Sequence, residues 1–478
     1  MKKSFYITTT LPYVNARPHI GMALEVVQAD ALARYRRLQG DEVLFNFGTD
    51  ENGQKILDAA KKEGKDPQKY TDEYSATFQK LKGALNLSYD LFVRTTDPHH
   101  KLAAQEFWRR CVKAGDIYKK NYKIKYCVGC ELEKTDSELV EGKCALHPKL
   151  EIEFIDEENY FFRLSKYQGA LLELYKKEDF LIPRFRLNEM IAFIEREGLE
   201  DFSISRLKSK MPWGVEVPGD PEQVMYVWFD ALVNYISTLG WPEDEEKFKK
   251  FWPGLQLAGK DQVRQQAVMW QAMLLSAGLP TTKQIFIHGF INSGGQKMSK
   301  SLGNVIDPIE IVKEYGTDAL RYFLLREIHP FEDSDFTMER FKEAYNANLA
   351  NGIGNLVSRV MTMAVDNDIK ADEKDISKFA SAKYLEQEQF LSEFQLDKAM
   401  DAIWKRITAT DVLIQTDQAF RSIKTNRVDA SLCIHTYLKN LIEIAIKLRP
   451  FLPSTAKEIE RLITENQKPV APLFLRKQ

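Results

Sequence analysis

Cys127, Cys130, Cys144 and His147 stand in the spacing C-x2-C-x13-C-x2-H. Three thiolates and an imidazole form a closed tetrahedral ligand set for zinc, with no coordination position left for a substrate, so such a metal is structural. The other two of the five cysteines, Cys111 and Cys433, stand alone. This clustering suits a metal site in a reducing compartment rather than a disulfide framework. Lys297-Met298-Ser299-Lys300-Ser301 follows the glycine-rich Ser293-Gly294-Gly295, which places two ammonium groups on one loop able to close on a triphosphate. A specified five-residue string arises by chance in a chain this long with probability of roughly 10⁻⁴, so the run is read as functional rather than as a solvated charge cluster. Near the N-terminus, Pro18-His19-Ile20-Gly21 lies where a strand hands over to a helix. A helix N-terminus offers partial positive charge and free N–H groups to an anion. Gly21 would let a nucleotide approach the backbone, and His19 could donate to phosphate oxygens.

These residues need a scaffold to bring them together. Residues 4–10 (SFYITTT) read as a short β-branched strand, and the stretch Gly21–Leu38 has helical periodicity with Gly40 closing it. EVLFNFG (42–48) is a nearly all-apolar strand. Strand, helix and buried strand in that order make a βαβ unit and hence an open parallel sheet. Ligands of such sheets sit beyond the carboxyl ends of the strands, where the loop Leu11–His19 and the segment Gly48–Gly53 with Asp50 and Glu51 belong. From about 116 to 215 the pattern is interrupted by charged, cysteine-bearing segments, then resumes with QVMYVWFDALVNYI (223–236), which reads as an insertion into the sheet domain. Asp307-Pro308 is a good helix start and Gly316 a stop. Beyond about 340 there is no strand signal, and amphipathic stretches at 342–365, 383–418, 428–448 and 454–465 predict a helical C-terminal domain.

The two phosphate signatures together resemble the HIGH-type and KMSKS motifs of class I aminoacyl-tRNA synthetases. Within that class the chain is similar to the methionyl-tRNA synthetases, through LPYVNARPHIG (11–21), FGTDENGQKI (47–56), LEDFSISR (199–206), YVWFDALVNY (226–235), GKD (259–261) and KMSKSLGNVIDP (297–308). The resemblance runs over essentially the whole chain. It implies an α/β Rossmann-type catalytic domain split by a zinc-bearing connective insertion, followed by an all-α anticodon-binding bundle. The implied spans are 1–115 and 216–290 for the two catalytic halves, 116–215 for the insertion, 291–340 for the KMSKS loop and stem, and 341–478 for the bundle.

The resemblance also assigns residues. A methionine pocket is implied at Leu11, Tyr13, Asp50, Arg206, Trp228, Ala231, Leu232 and Tyr235, with Asp50 on the substrate ammonium and apolar and aromatic walls around a polarisable thioether. Gly259 and Asp261 look like ribose contacts, and His288 lies just before the phosphate loop. His19, Gly21, Lys297 and Lys300 are the implied ATP contacts, with Mg²⁺ accompanying ATP and with His19, Lys297 and Lys300 stabilising charge on pyrophosphate. Asn355 and Arg359 of the NLVSR motif, one helical turn apart, would read the anticodon of tRNA(Met). Three positions depart from the family pattern: Met22 at the fourth place of the HIGH-type motif, and Gln262 and Gln266, where an apolar residue and a histidine are common. Gln266 is expected to hydrogen-bond Tyr235. The family's anticodon-stacking aromatic is not evident; the nearest matching position is Lys447.

Over 478 residues the composition is 44% hydrophobic and 28% charged with a formal net charge of -2, so a tRNA would be met by local patches rather than a global basic field. The run Lys119, Lys120, Lys123 and Lys125 is expected to be a solvated face more than a contact for the tRNA acceptor end. No signal-peptide run or membrane span is evident, and no appended dimerising domain is recognisable, so a cytoplasmic monomer is expected. The alternatives are a class I synthetase for another amino acid and a non-catalytic tRNA- or amino-acid-binding paralogue. An insertion of about 100 residues is too short for the large editing domain of the leucyl, isoleucyl or valyl enzymes. The intact Lys297–Ser301 loop argues against the binding module.

Overall fold

The computed structural model describes residues 2–134, 138–298, 304–378 and 388–477. β1 (Ser4–Thr8) leads into α1 (Ile20–Leu38), which returns to β2 (Glu42–Thr49). Next come α2 (Gln54–Lys62), β3 (Leu91–Arg94), the hairpin strands β4 (Ile117–Cys127) and β5 (Glu153–Phe162), the two-residue β6 (Leu181–Ile182), and then β7 (Leu255–Gly259) and β8 (Gln284–His288). Six of these form one sheet in the order β3-β2-β1-β7-β8-β6, with every pairing parallel. The order reverses between β1 and β7, so a crevice opens beyond the carboxyl ends of those two strands.

Side chains alternate across the sheet, as strand geometry requires. Ile7, Leu257 and Phe286 enter one core, while Tyr6, Ala258, Ile285 and Ile287 enter the other. The first core also contains the buried faces of α1 and of the C-terminal helices, and the second contains the insertion and residues 225–241. The sheet is therefore covered on both faces, and the helical region shares a core with α1 rather than forming an apolar unit of its own.

The insertion is built on a long antiparallel ladder from Ile117↔Phe162 to Tyr126↔Glu153. Its span does not fall cleanly at 116–215. β6, inside that span, pairs in parallel with β8 at the sheet edge, and Ser205–Leu207 pairs with Asp220–Met225 across the expected boundary. A two-residue strand carries no readable periodicity, so the chain's return to the main sheet at Leu181 left no trace in the pattern.

Beyond β8, Ile291–Ser293, Gln296–Lys297 and Ser334–Phe336 form a small three-stranded sheet. Gly294 and Gly295 turn its hairpin with φ of 61° and 75°, the left-handed pair that a two-residue turn demands and that glycine adopts without strain. Asp307 caps α3 (Pro308–Tyr315) by accepting from Ile309 N at 2.8 Å, and Gly316 at φ 89° ends it. From Met338 onward the described residues contain helices and no strand: chiefly α4 (Asn355–Asp366), α5 (Leu396–Asp417), α6 (Arg427–Leu448) and α7 (Pro453–Glu465). The stretch read as 383–418 is broken at Phe394, whose φ is 59°, and its first residues lie outside those described. No helix is long and apolar enough to cross a membrane among the described residues.

Candidate active site and metal centre

The loop Leu11–His19 is laced to the end of β2, where Asp50 N donates to Pro12 O at 3.0 Å and Val14 N to Asp50 O at 3.2 Å. Between this loop, the end of β7 and the helical turns at 227–237 lies a cleft of about 360 Å³, a size typical of small-molecule sites. Leu11, Tyr13, Trp228, Ala231, Leu232 and Tyr235 give it an apolar, largely aromatic wall. Tyr13 and Trp228 meet edge to face, with centroids 6.4 Å apart. Gln266 also lines the cleft, and its Nε2 donates to the Tyr235 hydroxyl at 2.7 Å. The amide thus fixes the orientation of that ring.

Asp50 is buried at the base of this wall. Its carboxylate accepts from Thr95 Oγ1 at 3.3 Å and Asn52 N at 3.5 Å, both long. Burial, and then the neighbouring Asp230 and Glu131 carboxyls, hold its pKa well above the usual carboxylate range. Asp230 is itself pushed up to about 8 by burial and accepts from Asn52 Nδ2 at 2.6 Å. An ammonium group brought to Asp50 would relieve this crowding of acids.

The opposite end of the cleft is polar. His19 is the N-cap of α1, and its Nδ1 accepts from Gly21 N at 3.1 Å. Burial pushes its pKa down to about 4, so the ring is neutral near pH 7 and its proton sits on Nε2, ready to donate. The free N–H groups expected at this helix start are in part already used: Ile20 N bonds Ile306 O at 3.0 Å, and Gly21 N bonds His19. The cleft therefore meets the field of α1 and the His19 Nε2–H more than bare backbone donors. Gly259 stands beside His288 in register, and a Cβ on it would lie 3.0 Å from Asp261 Oδ1. His288 Nε2 lies 2.9 Å from Glu25 Oε2 and Nδ1 2.7 Å from Gly289 O. Burial works against protonation of this ring, but the two acceptors outweigh it and its pKa is raised. Glu25 also accepts from Thr10 N and Thr10 Oγ1 at 2.6 and 2.7 Å, tying α1 to the end of β1. Met22, the departure in the HIGH-type motif, lines the cleft beside Met298. The side chain of Lys297, and all of Ser299, Lys300 and Ser301, lie outside the described residues.

In the insertion, Cys127, Cys130, Cys144 and His147 bring one ligand atom each to within 4.8 Å of the others. Cys130 Sγ lies 3.4 Å from Cys144 Sγ and 3.2 Å from His147 Nδ1; Cys127 Sγ and Cys144 Sγ lie 3.9 and 4.0 Å from the same nitrogen. Ligand atoms about 2.0–2.3 Å from a tetrahedral centre sit about 3.5–3.7 Å apart, so the four residues fit a metal ion. Gly129 is required here, since a Cβ would come within 2.4 Å of the His147 ring.

The chain is similar to known proteins. The family profile of tRNA synthetases class I (M) matches residues 5–153 and 133–361. A methionine–tRNA ligase of Thermosynechococcus vestitus is 50% identical over 371 residues, covering 76% of this chain and 70% of its own. That of Thermotoga maritima is 40% identical over 480 residues, covering 97% and 76%. The Mycobacterium tuberculosis methionyl-tRNA synthetase in complex with methionyl-adenylate superposes with a TM-score of 0.89 at 37% identity, over 96% of this chain and 94% of that one. The chain belongs to the methionyl-tRNA synthetases.

Of the methionine-pocket residues expected in this synthetase, all but Arg206 line the cleft. Arg206 borders a smaller cavity with Glu131, Tyr126 and Tyr226. Its guanidinium lies 4.4 Å from the Tyr226 ring centroid, and its Nη1 donates to Ser203 Oγ at 2.9 Å and Ser205 O at 2.7 Å. It braces the floor rather than the wall, because its strand pairs into the small sheet beneath. The lysine run of β4 is partly neutralised, Lys119 by Asp220 at 2.8 Å and Lys123 by Asp156 at 3.0 Å.

On α4, Asn355 is exposed and Arg359 half-buried against Asp411. Arg359 borders a groove with Ser358, Thr362, Met363, Ile414 and Phe420. Phe420 is 47% exposed and supplies an aromatic ring to this groove. Sequence reading missed it because Phe420 is far from the NLVSR motif in the chain and carries no pattern of its own. Glu25, Glu131 and Asp230 were missed for the same reason: their roles come from partners distant in sequence.

Proposed function

We propose that the cleft activates L-methionine with ATP and that the enzyme then transfers the amino acid to tRNA(Met). The observation that carries this reading is the joining, in one crevice at the switch point of the sheet, of an aromatic wall, a crowded buried Asp50 and the His19 end of α1. The methionine side chain packs among Tyr13, Trp228, Leu232 and Tyr235, and its ammonium pairs with Asp50. ATP lies along His19, Gly21, Gly259, Asp261 and His288, with Mg²⁺ as its counterion. A methionine carboxylate oxygen attacks the α-phosphorus, the bond to the bridging oxygen breaks, and pyrophosphate leaves. His19 Nε2–H, with Lys297 and Lys300, meets the charge that develops on the leaving group. A terminal ribose hydroxyl of the tRNA then attacks the carbonyl carbon and AMP departs. No protein nucleophile is needed, since positioning and charge stabilisation supply the rate.

We assign zinc to Cys127, Cys130, Cys144 and His147, where it fixes the fold of the insertion and takes no part in bond making. Asn355, Arg359 and Phe420 meet the anticodon by hydrogen bonding and stacking. Charging of a tRNA(Met) transcript with methionine, resolved on acid gels beside leucine, isoleucine and valine, tests the reading. Methionyl-tRNA alone is expected; charging by another amino acid, or by none, contradicts it.

A further inference from the structure

Glu131 follows the metal ligand Cys130 directly and plays no part in the chemistry described above. Its φ is 51°, a left-handed conformation disfavoured for a residue with a Cβ. It is 1% exposed, and burying a carboxylate is costly unless hydrogen bonds compensate it. The strained backbone and the burial together turn the side chain away from the knuckle and towards the cleft.

Both oxygens are used there. Oε2 accepts from the Tyr13 hydroxyl at 3.1 Å, and Oε1 accepts from Lys55 N at 3.1 Å, in the first turn of α2. Gly53, at φ 102°, leaves room for them, since a Cβ on it would lie 3.0 Å from Oε2. The Lys55 ammonium in turn lies 5.0 Å from the Tyr13 ring centroid. Tyr13 is a wall of the cleft, and its loop is laced by backbone bonds to Asp50. One carboxylate on the insertion thus grips the ring that bounds the amino-acid site and the helix that follows Asp50.

We propose that Glu131 is a positioning residue for the amino-acid substrate, holding Tyr13 and the start of α2 in the geometry that receives methionine. This rests on the activation reading above. Glu131 touches no substrate, and its effect passes through Tyr13, so it should act on methionine and not on ATP.

The test is a double-mutant cycle in ATP–pyrophosphate exchange, on full-length protein whose zinc content matches the wild type. Glu131→Met keeps the volume and removes both acceptors. It is expected to raise KM for methionine about tenfold, the loss of one or two charge-assisted hydrogen bonds, with KM for ATP within about twofold. Combined with Tyr13→Phe it should be little worse than Glu131→Met alone, because Tyr13→Phe removes a contact that Glu131→Met already lacks. Glu131→Gln keeps one acceptor for Lys55 N and an amide facing the Tyr13 oxygen, and should recover most of the affinity. Should Glu131→Met fail to fold, Glu131→Ala read by the same two constants decides. An unchanged KM for methionine overturns the proposal. So does a parallel rise for both substrates, multiplicative effects in the cycle, or a Gln variant as impaired as Met. Wild-type protein in the same assay separates the failures: wild-type silence overturns the activation reading, while wild-type activity with an unaffected variant overturns only the role of Glu131.

Discussion

Asp50 sits at the base of the cleft among other acids, with Asp230 and Glu131 as its carboxyl neighbours. A carboxyl in that setting holds its proton to higher pH than usual, whereas the ammonium of methionine, bound there as proposed, would pair with the ionised form. Binding below the raised pKa must therefore expel a proton, and KM for methionine should rise as pH falls, by up to about tenfold per unit. Above that pKa the dependence should vanish, and Asp50→Asn should be flat throughout. The same substitution should raise KM for methionine about 10- to 100-fold at neutral pH, the value of a charge-assisted hydrogen bond, and leave KM for ATP nearly unchanged. A flat wild-type profile would contradict this role. Asp50 and the aromatic wall could be expected because they fall in contiguous motifs that resemble the family's, and the hydrogen bond from Gln266 to Tyr235 could be expected once that resemblance matched the two positions. The placement of Arg206 below the cleft could not, because it depends on the pairing of Ser205–Leu207 with Asp220–Met225.

Among the elements, the knuckle announced itself most plainly. The ligands fall in two closely spaced pairs, Cys127-x2-Cys130 and Cys144-x2-His147, so the four residues declare themselves by spacing alone. The glycine between the first two ligands has a physical reason that spacing does not reveal: the His147 ring fills the place of its Cβ. Gly129→Ala should weaken metal binding about 10- to 100-fold, as disturbances of a ligand's surroundings do, measured by competition with a chromogenic chelator. Wild-type affinity in that variant would show that the ring can move aside. The helix starts at His19 and Asp307 were equally legible, since capping is local. The edge strand β6 was not, because two residues in a parallel pairing derive their conformation from the neighbour β8 and not from themselves.

At the scale of the molecule, a buried ion pair reinforces the core that the catalytic sheet shares with the helical bundle. Asp30 of α1 meets Arg321 at 2.8 Å with both side chains fully buried. Arg321 also donates to Phe451 O at 2.7 Å and to Leu85 O and Pro450 O at 3.1 Å. The helix whose N-terminus carries His19 is thereby locked to the turn between α6 and α7. Asp30→Ala leaves a buried guanidinium without its carboxylate and should destabilise the protein by about 3–5 kcal/mol, read from denaturant unfolding; a change within 1 kcal/mol would contradict that. On the anticodon face proposed for the same bundle, Arg359→Ala and Phe420→Ala should each lower kcat/KM for tRNA about 10- to 100-fold while leaving amino-acid activation intact. Activation itself is the most direct test of the account, through methionine-dependent ATP–pyrophosphate exchange run beside the other amino acids. Exchange with methionine alone is the predicted result. Exchange driven by a different amino acid, or none from folded, zinc-loaded protein with Mg²⁺ present, would contradict it.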